Sequence, residues 1–308
     1  MAQGAQDTVA FIGLGTMGTL MSRRLAGAGH PLRAFDLDGA ALARGAAEEG
    51  AEAAESPRSA ATGADVVVLS LPSPRAVEEV VCGEDGVLAG LESGRAIVDM
   101  STIDPATSRR VHAAAAERGC PVLDAPVSGG PTKAETGTLT IMVGGDEAVL
   151  ERCRPVLARL GTNIIRVGPP GSGQVAKLCN NMLLGVILGG IAETFATGVK
   201  AGVDARVLHE VVCASTGGST VLESWVPLTT LKDDYTPRFS LDLLHKDVSL
   251  FAQTADLEGV PVPIAAATEQ MIKAARCRGL GALDMTAVVK LYEELAGVRW
   301  LEGPGGAV

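Results

Sequence analysis

The segment Gly171-Ser172-Gly173-Gln174-Val175-Ala176-Lys177-Leu178-Cys179-Asn180-Asn181 places a lysine after a glycine-rich turn, at the start of a long apolar stretch. If that stretch is helical, Lys177 and Asn181 share one face, because positions four apart lie one above the other. A primary amine and an amide converging at the start of a mostly apolar helix have the character of a site, not of a solvated surface. Far upstream stands Gly13-Leu14-Gly15-Thr16-Met17-Gly18, a nucleotide fingerprint. Together the two imply an enzyme with a cofactor domain and a catalytic helix.

The fingerprint alone is weak: with 38 glycines in 308 residues, its spacing arises by chance about half a time per chain. Its surroundings give it meaning. Thr8 to Ile12 reads as a strand, Thr16 to Ala28 as a helix with Met17, Leu20, Met21 and Leu25 on one side, and Pro31 to Phe35 as a second strand ending in Asp36. This is a βαβ unit. Gly13 permits the tight turn, Gly15 lets backbone approach a pyrophosphate, and Gly18 lets helix and sheet pack closely. The helix start supplies amide donors to phosphates, here from Leu14, Thr16 and Met17. A carboxylate at Asp36 accepts from ribose hydroxyls and repels a 2'-phosphate, and Leu37 follows where arginine would favour NADP. The cofactor expected is NAD, with NADP possible; Arg33 and Arg44 are the cations able to reverse the preference. A third cluster, Asp124-Ala125-Pro126-Val127-Ser128-Gly129-Gly130, offers a hydroxyl and unobstructed amides that suit a carboxylate. Leu244-His245-Lys246-Asp247, taken by itself, reads as a helical stretch with a surface charge pair.

The elements that must hold these groups follow from periodicity. Apolar runs at 65–71, 96–100, 121–123, 138–143 and 163–167 read as further strands, alternating with alanine-rich helices such as Ala106 to Arg118. Such alternation implies a mostly parallel sheet covered on both faces. After Pro169-Pro170-Gly171 helical pattern dominates to about Leu295. The expected fold is an α/β Rossmann-type domain over 8–168, followed by an all-α domain over 169–300, with tails at 1–7 and 301–308 that fray.

Composition narrows the function classes. The net charge of −10 disfavours nucleic acid and anionic membranes as partners. The six cysteines have no CxxC spacing and the four histidines no ligand spacing, so they read as buried thiols in a reducing cytoplasm, with no metal site. The opening residues lack the regions of a signal peptide. The run Met182 to Ala192 is too short and glycine-rich to span a membrane and reads as a buried helix.

Four motifs in order, Gly13 to Gly18 with Met21, Asp124 to Gly130, Gly171 to Asn181, and Lys246-Asp247, resemble the β-hydroxyacid dehydrogenase family, over about residues 8 to 298. The resemblance implies a Rossmann-type domain, a helical domain joined by a long interdomain helix starting near Gly173, and a homodimer or homotetramer. It implies Lys177 as the catalytic lysine, Ser128, Gly129 and Gly130 as the substrate-carboxylate loop, and Asn181 as the substrate-orienting amide. Leu71, Pro72 and Thr102 would contact the cofactor, Lys246 would stand near its nicotinamide, and Asp247 would orient that corner. Free lysine titrates near ~10.4, so base action requires burial or a neighbouring cation, for which Lys246 is a candidate. The family has proline more often at the position of Leu20 and asparagine at that of Arg24, which alters packing more than binding. The substrate implied is a short β-hydroxyacid or its semialdehyde. Lys133-Ala134, Gly218 to Leu222, Phe239 to Asp247 and Gly279-Leu280-Gly281 favour 2-hydroxy-3-oxopropionate. Asn180 to Gly185 and Asp36 favour 3-hydroxyisobutyrate. A non-catalytic NAD-binding scaffold is the alternative of another class; retention of Lys177 and the lack of a basic arm speak against it.

Overall fold

The computed structural model describes residues 6–302. The chain packs as two compact units, one ending at Lys177 and the other beginning at Leu178. The tails expected to fray lie mostly outside the described residues; of the remainder, the Asp7 carbonyl meets His30 Nδ1 at 2.9 Å.

The first unit is built on a nine-stranded sheet. Its strands are β1 (Val9–Ile12), β2 (Leu32–Phe35), β3 (Glu52–Ala53), β4 (Val66–Leu69), β5 (Ala96–Asp99), β6 (Val122–Asp124), β7 (Val127–Ser128), β8 (Leu139–Gly144) and β9 (Gly161–Gly168). The helices between them are α1 (Thr16–Gly27), α2 (Gly39–Glu49), α3 (Pro57–Ala61), α4 (Pro74–Cys82), α5 (Val87–Gly90), α6 (Pro105–Glu117), α7 (Gly130–Thr136) and α8 (Glu147–Leu160). Strands run in the order β3-β2-β1-β4-β5-β6-β8-β7, with β9 beside β8. From β3 to β6 every pairing is parallel; β8 runs antiparallel to β6 and β7. Alternate residues explain why the strands read as continuous apolar runs. Val9, Phe11, Val66 and Val68 join one core, while Ala10, Ile12, Val67 and Leu69 join the core on the opposite face. Strand β9 departs from this: Ile165 and Val167 are exposed, as the two-sided burial expected of the sheet ends at its parallel edge. Chain order reverses between β1 and β4, which makes the carboxyl end of β1 the switch point where ligands bind in such sheets.

Helix α9 (Ser172–Lys200) carries the chain past Lys177. In the second unit it is joined by α10 (Ala205–Cys213), α11 (Leu241–Leu257), α12 (Pro263–Cys277) and α13 (Val288–Ala296), with short helical turns over 221–232. Among the described residues this unit has no strand, only an isolated bridge between Ser240 and Asp284. By length and composition alone α9 could cross a membrane. Yet Leu188, Ala192, Phe195 and Val199 along it lie in the second unit's core. Trp300 is buried there too, stacked on Phe195 with ring centroids 4.6 Å apart.

Candidate active site

The glycine turn follows β1 at the switch point. Gly13 has φ +97°, and a Cβ there would stand 2.3 Å from the Ser70 carbonyl oxygen; one at Gly18 would stand 1.9 Å from the Gly13 carbonyl. Both glycines are required by the protein's own packing. Gly15 differs: a Cβ there would meet nothing within 4 Å. It is the N-cap of α1, with no side-chain cap and no acid in the first turn. Helices α2, α4, α6 and α8 are all capped by side chains, from Asp38, Ser73, Asp104 and Asp146. The amides at the start of α1 therefore lack the side-chain acceptor that α2, α4, α6 and α8 carry, and the open space at Gly15 fits a pyrophosphate there. Thr16 is exposed, Met17 half-buried and Leu14 buried.

Asp36 is tied to this turn. Its Oδ2 accepts from Leu14 N at 2.6 Å and its Oδ1 from Asp38 N at 2.7 Å. Each oxygen keeps a lone pair for a ribose hydroxyl. Leu37 is 93% exposed beside it. Arg33 is engaged elsewhere, by Glu52 at 3.2 Å and by the Thr62 carbonyl, and Arg44 is exposed on α2.

At the next strand ends, Leu71 is half-buried and Pro72 exposed. Leu71 N donates to Ser101 Oγ at 2.9 Å, which joins the β4 end to the Ser101–Ile103 loop containing Thr102. Gln174 on α9, wholly buried, holds the same loop: its Oε1 accepts from Ile103 N at 3.0 Å and its Nε2 donates to the Ser101 carbonyl at 2.9 Å. Lys177 lies one turn further along α9 and is 9% exposed. Ser128 ends β7; Gly129 and Gly130 follow with φ +131° and +67°. Both have the positive φ that glycine adopts without strain, and at Gly129 the Lys133 side chain fills the place a Cβ would take, at 2.5 Å. Sequence reasoning missed Gln174, Ser101, Asp99 and His112. Asp99 and Ser101, polar residues closing the apolar run at 96–100, carried a signal that could have found them; Gln174 on α9 and His112 on α6 carried none.

The remaining predicted residues lie in the second unit. Asn181 is 1% exposed. Its Nδ2 donates to Asp247 Oδ2 at 2.5 Å and its Oδ1 accepts from Asn180 Nδ2 at 2.9 Å. One donor and one acceptor position of the amide remain for a ligand. Lys246 Nζ stands 3.2 Å from Asp247 Oδ1, but the pair is not the surface one its sequence suggests: the Asp247 side chain is 2% exposed. Asp247 is thus shared between the amide and the ammonium.

Comparison with known proteins follows the same division. Residues 8–168 match the NAD binding domain of 6-phosphogluconate dehydrogenase, and residues 171–292 match the NAD-binding domain of NADP-dependent 3-hydroxyisobutyrate dehydrogenase. The chain is 41% identical over 295 residues to an NAD-dependent L-serine dehydrogenase of Pseudomonas aeruginosa, covering 94% of this chain and 99% of that one. It is 40% identical to a 2-(hydroxymethyl)glutarate dehydrogenase of Eubacterium barkeri, covering 94% and 96%. Among solved structures, a Mycobacterium tuberculosis 3-hydroxyisobutyrate dehydrogenase with L-serine superposes with a TM-score of 0.86 at 38% identity, covering 93% of this chain and 99% of that one. With both units matched and the relatives aligned nearly end to end, the chain belongs to the β-hydroxyacid dehydrogenase family, NAD(P)-dependent oxidoreductases acting on CH–OH groups.

Proposed function

We propose that the protein oxidises the hydroxymethyl group of a short acid HO–CH2–CH(X)–COO⁻ and reduces the corresponding semialdehyde, with NAD preferred over NADP. One observation carries this reading: Lys177 is buried on α9 within the same compact unit as the glycine turn and the Ser128–Gly130 loop. The relatives' names support the substrate class. L-serine, 2-(hydroxymethyl)glutarate and 3-hydroxyisobutyrate share the hydroxymethyl and the carboxylate and differ only in X. A cytoplasmic location belongs to the same proposal; of the six cysteines read as buried, only Cys120 and Cys153 are so, while Cys82, Cys179 and Cys277 are exposed and Cys213 is half-buried. We assign X as hydroxyl, which makes the pair glycerate and 2-hydroxy-3-oxopropionate. The support is Lys133-Ala134, Gly218 to Leu222 and Gly279 to Gly281; 3-hydroxyisobutyrate is the second reading, favoured by Asn180 to Gly185. Association as a homodimer or homotetramer belongs to the same proposal and is read by light scattering.

Bound NAD(P) supplies the acceptor or donor of hydride. In oxidation a neutral Lys177 amine takes the hydroxyl proton as the carbon loses its hydride. In reduction the ammonium returns that proton to the oxygen and stabilises the negative charge developing on it. Ser128 Oγ and the amides of Gly129 and Gly130 take the carboxylate. Asn181 orients the substrate, itself held by Asp247, and Lys246 is assigned to the nicotinamide side. Asp36 selects NAD through the ribose diol.

The test is NADH absorbance over a panel of hydroxy acids, with NAD and with NADP. Turnover of glycerate above 3-hydroxyisobutyrate is expected, and the reverse order moves the assignment of X. Lys177→Ala is expected to lose at least ~10²-fold in kcat while NADH still binds. Retention of more than a tenth of wild-type turnover sinks the lysine's role. A lower apparent KM for NADP than for NAD sinks the reading of Asp36.

A further inference from the structure

Helix α9 starts at a residue that cannot cap it. Gly171 is the first residue whose carbonyl enters the helix, accepting from Val175 N at 3.1 Å. It has φ +86° and no side chain, so it offers the first turn no side-chain acceptor; Ser172 N turns back to the Pro169 carbonyl at 3.1 Å, and Gly171 N and Gln174 N are left to find partners elsewhere. A carboxylate from strand β6 serves them instead. Asp124 Oδ1 accepts from Gly171 N at 2.8 Å, and Oδ2 accepts from Gln174 N at 3.2 Å. These are the two amides that a capping box satisfies with two side chains of the helix's own segment. Here one side chain, 47 residues earlier, satisfies both.

The surroundings are built around that carboxylate. Asp124 is 0% exposed. A Cβ at Gly144 would stand 2.5 Å from both of its oxygens. A Cβ at Gly173 would stand 2.4 Å from the Met142 carbonyl and 2.8 Å from Asp124 Oδ2. From α6, His112 Nε2 lies 3.2 Å from Oδ1, off the hydrogen-bonding direction. Asp99 is its partner in register on β5, and Arg109 flanks Gly171. A buried anion at a helix N-terminus is also favoured by the helix dipole. Gln174 then fixes the same turn a second time, to the Ser101–Ile103 loop, three residues before Lys177.

We infer that Asp124 is a positioning residue for proton transfer: by clamping the first turn of α9 it sets where the Lys177 amine stands. The inference rests on Lys177 being the proton-transfer group. It assigns to the first residue of the Asp124–Gly130 motif a task separate from the substrate-carboxylate loop.

The test uses the full-length protein carrying Asp124→Asn, which keeps shape and volume but can accept at only one of the two amides. NADH affinity is expected within twofold of wild type and kcat about tenfold lower or more, with KM little changed. Amide hydrogen exchange over 172–177 is expected to accelerate. In the oxidation direction the rising limb of the kcat–pH profile should move to lower pH, because a carboxylate at the start of the helix that carries the amine has been removed. A cap that only stabilised the fold would lower Tm and leave kcat and this limb where they were. That result in folded Asp124→Asn protein overturns the inference. Should Asp124→Asn not fold, Gln174→Met, which frees the second attachment of the same turn, is held to the same kcat and exchange criteria. Wild-type protein inactive on every hydroxy acid overturns the reading of Lys177; unaltered exchange over 172–177 in the variant overturns the clamp.

Discussion

Asp99 closes β5 with its carboxyl wholly buried, and burial pushes its pKa up to about 6, with nearby Asp124 adding to the rise and the Ser101 hydrogen bonds opposing it. The folded protein therefore holds a proton on Asp99 more tightly than the unfolded chain does. The cost of ionising it is absent below about pH 4, grows as pH rises through 6, and is constant above. Asp99→Asn removes that cost while keeping an acceptor for Ser101 N, which now donates to Asp99 Oδ1 at 3.0 Å. Urea denaturation should show the variant gaining on wild type by about 2–3 kcal/mol between pH 4 and pH 8; a difference independent of pH would contradict the burial argument. Lys177, Asn181 and Asp36 were legible in the sequence because type and spacing mark them. Asp99, His112 and Gln174 were not: Gln174 meets Ile103 and Ser101 more than seventy residues earlier, Asp99 and His112 are set beside Asp124 from another strand and from α6, and no local spacing points to such contacts.

At the scale of the element, the two ends of one glycine turn separate folding from binding. Gly13→Ala adds a Cβ against the Ser70 carbonyl at a φ of +97° and should destabilise by about 1–3 kcal/mol or prevent folding. Gly15→Ala fits its φ of −65° and meets nothing. Its ligand-free Tm should stay within a degree or two of wild type, while NADH binds about tenfold more weakly. Paired thermal melts and fluorescence titrations check both, and equal NADH affinity for Gly15→Ala would mean that the open space receives no cofactor. The seven strands read from the sequence are present, each within two residues at its ends. The two-residue strands β3 and β7 escaped, being too short to show a period. The antiparallel setting of β8 escaped as well, because an apolar run carries no direction.

For the whole molecule, a core in the second unit that is separate from the two flanking the sheet means that damage can be local. Trp300 is 1% exposed and sits on Phe195 in the second unit's core, just before a tail that the sequence reads as frayed. Trp300→Ala should cost about 3–5 kcal/mol, read by denaturation followed through Trp225 fluorescence. NADH affinity, assigned mainly to the glycine turn and Asp36 of the first unit with Lys246 the one contact from the second, should change less than twofold; a parallel loss of NADH binding would show that the second core supports the cofactor site. The division into an α/β and an all-α part was legible from where strand patterns stop, but the packing break after Lys177 was not, because α9 runs through it without a change of period. The cap on that helix has a consequence for descent. Asp124 fits only because Gly144 and Gly173 give it room, and α9 can start at Gly171 only because Asp124 serves its amides. A change at any one of these four positions is harmful while the other three stand, so a lineage can leave the arrangement only by passing through a weaker enzyme. The four positions form a ratchet, and it holds whatever acid the descendants come to oxidise.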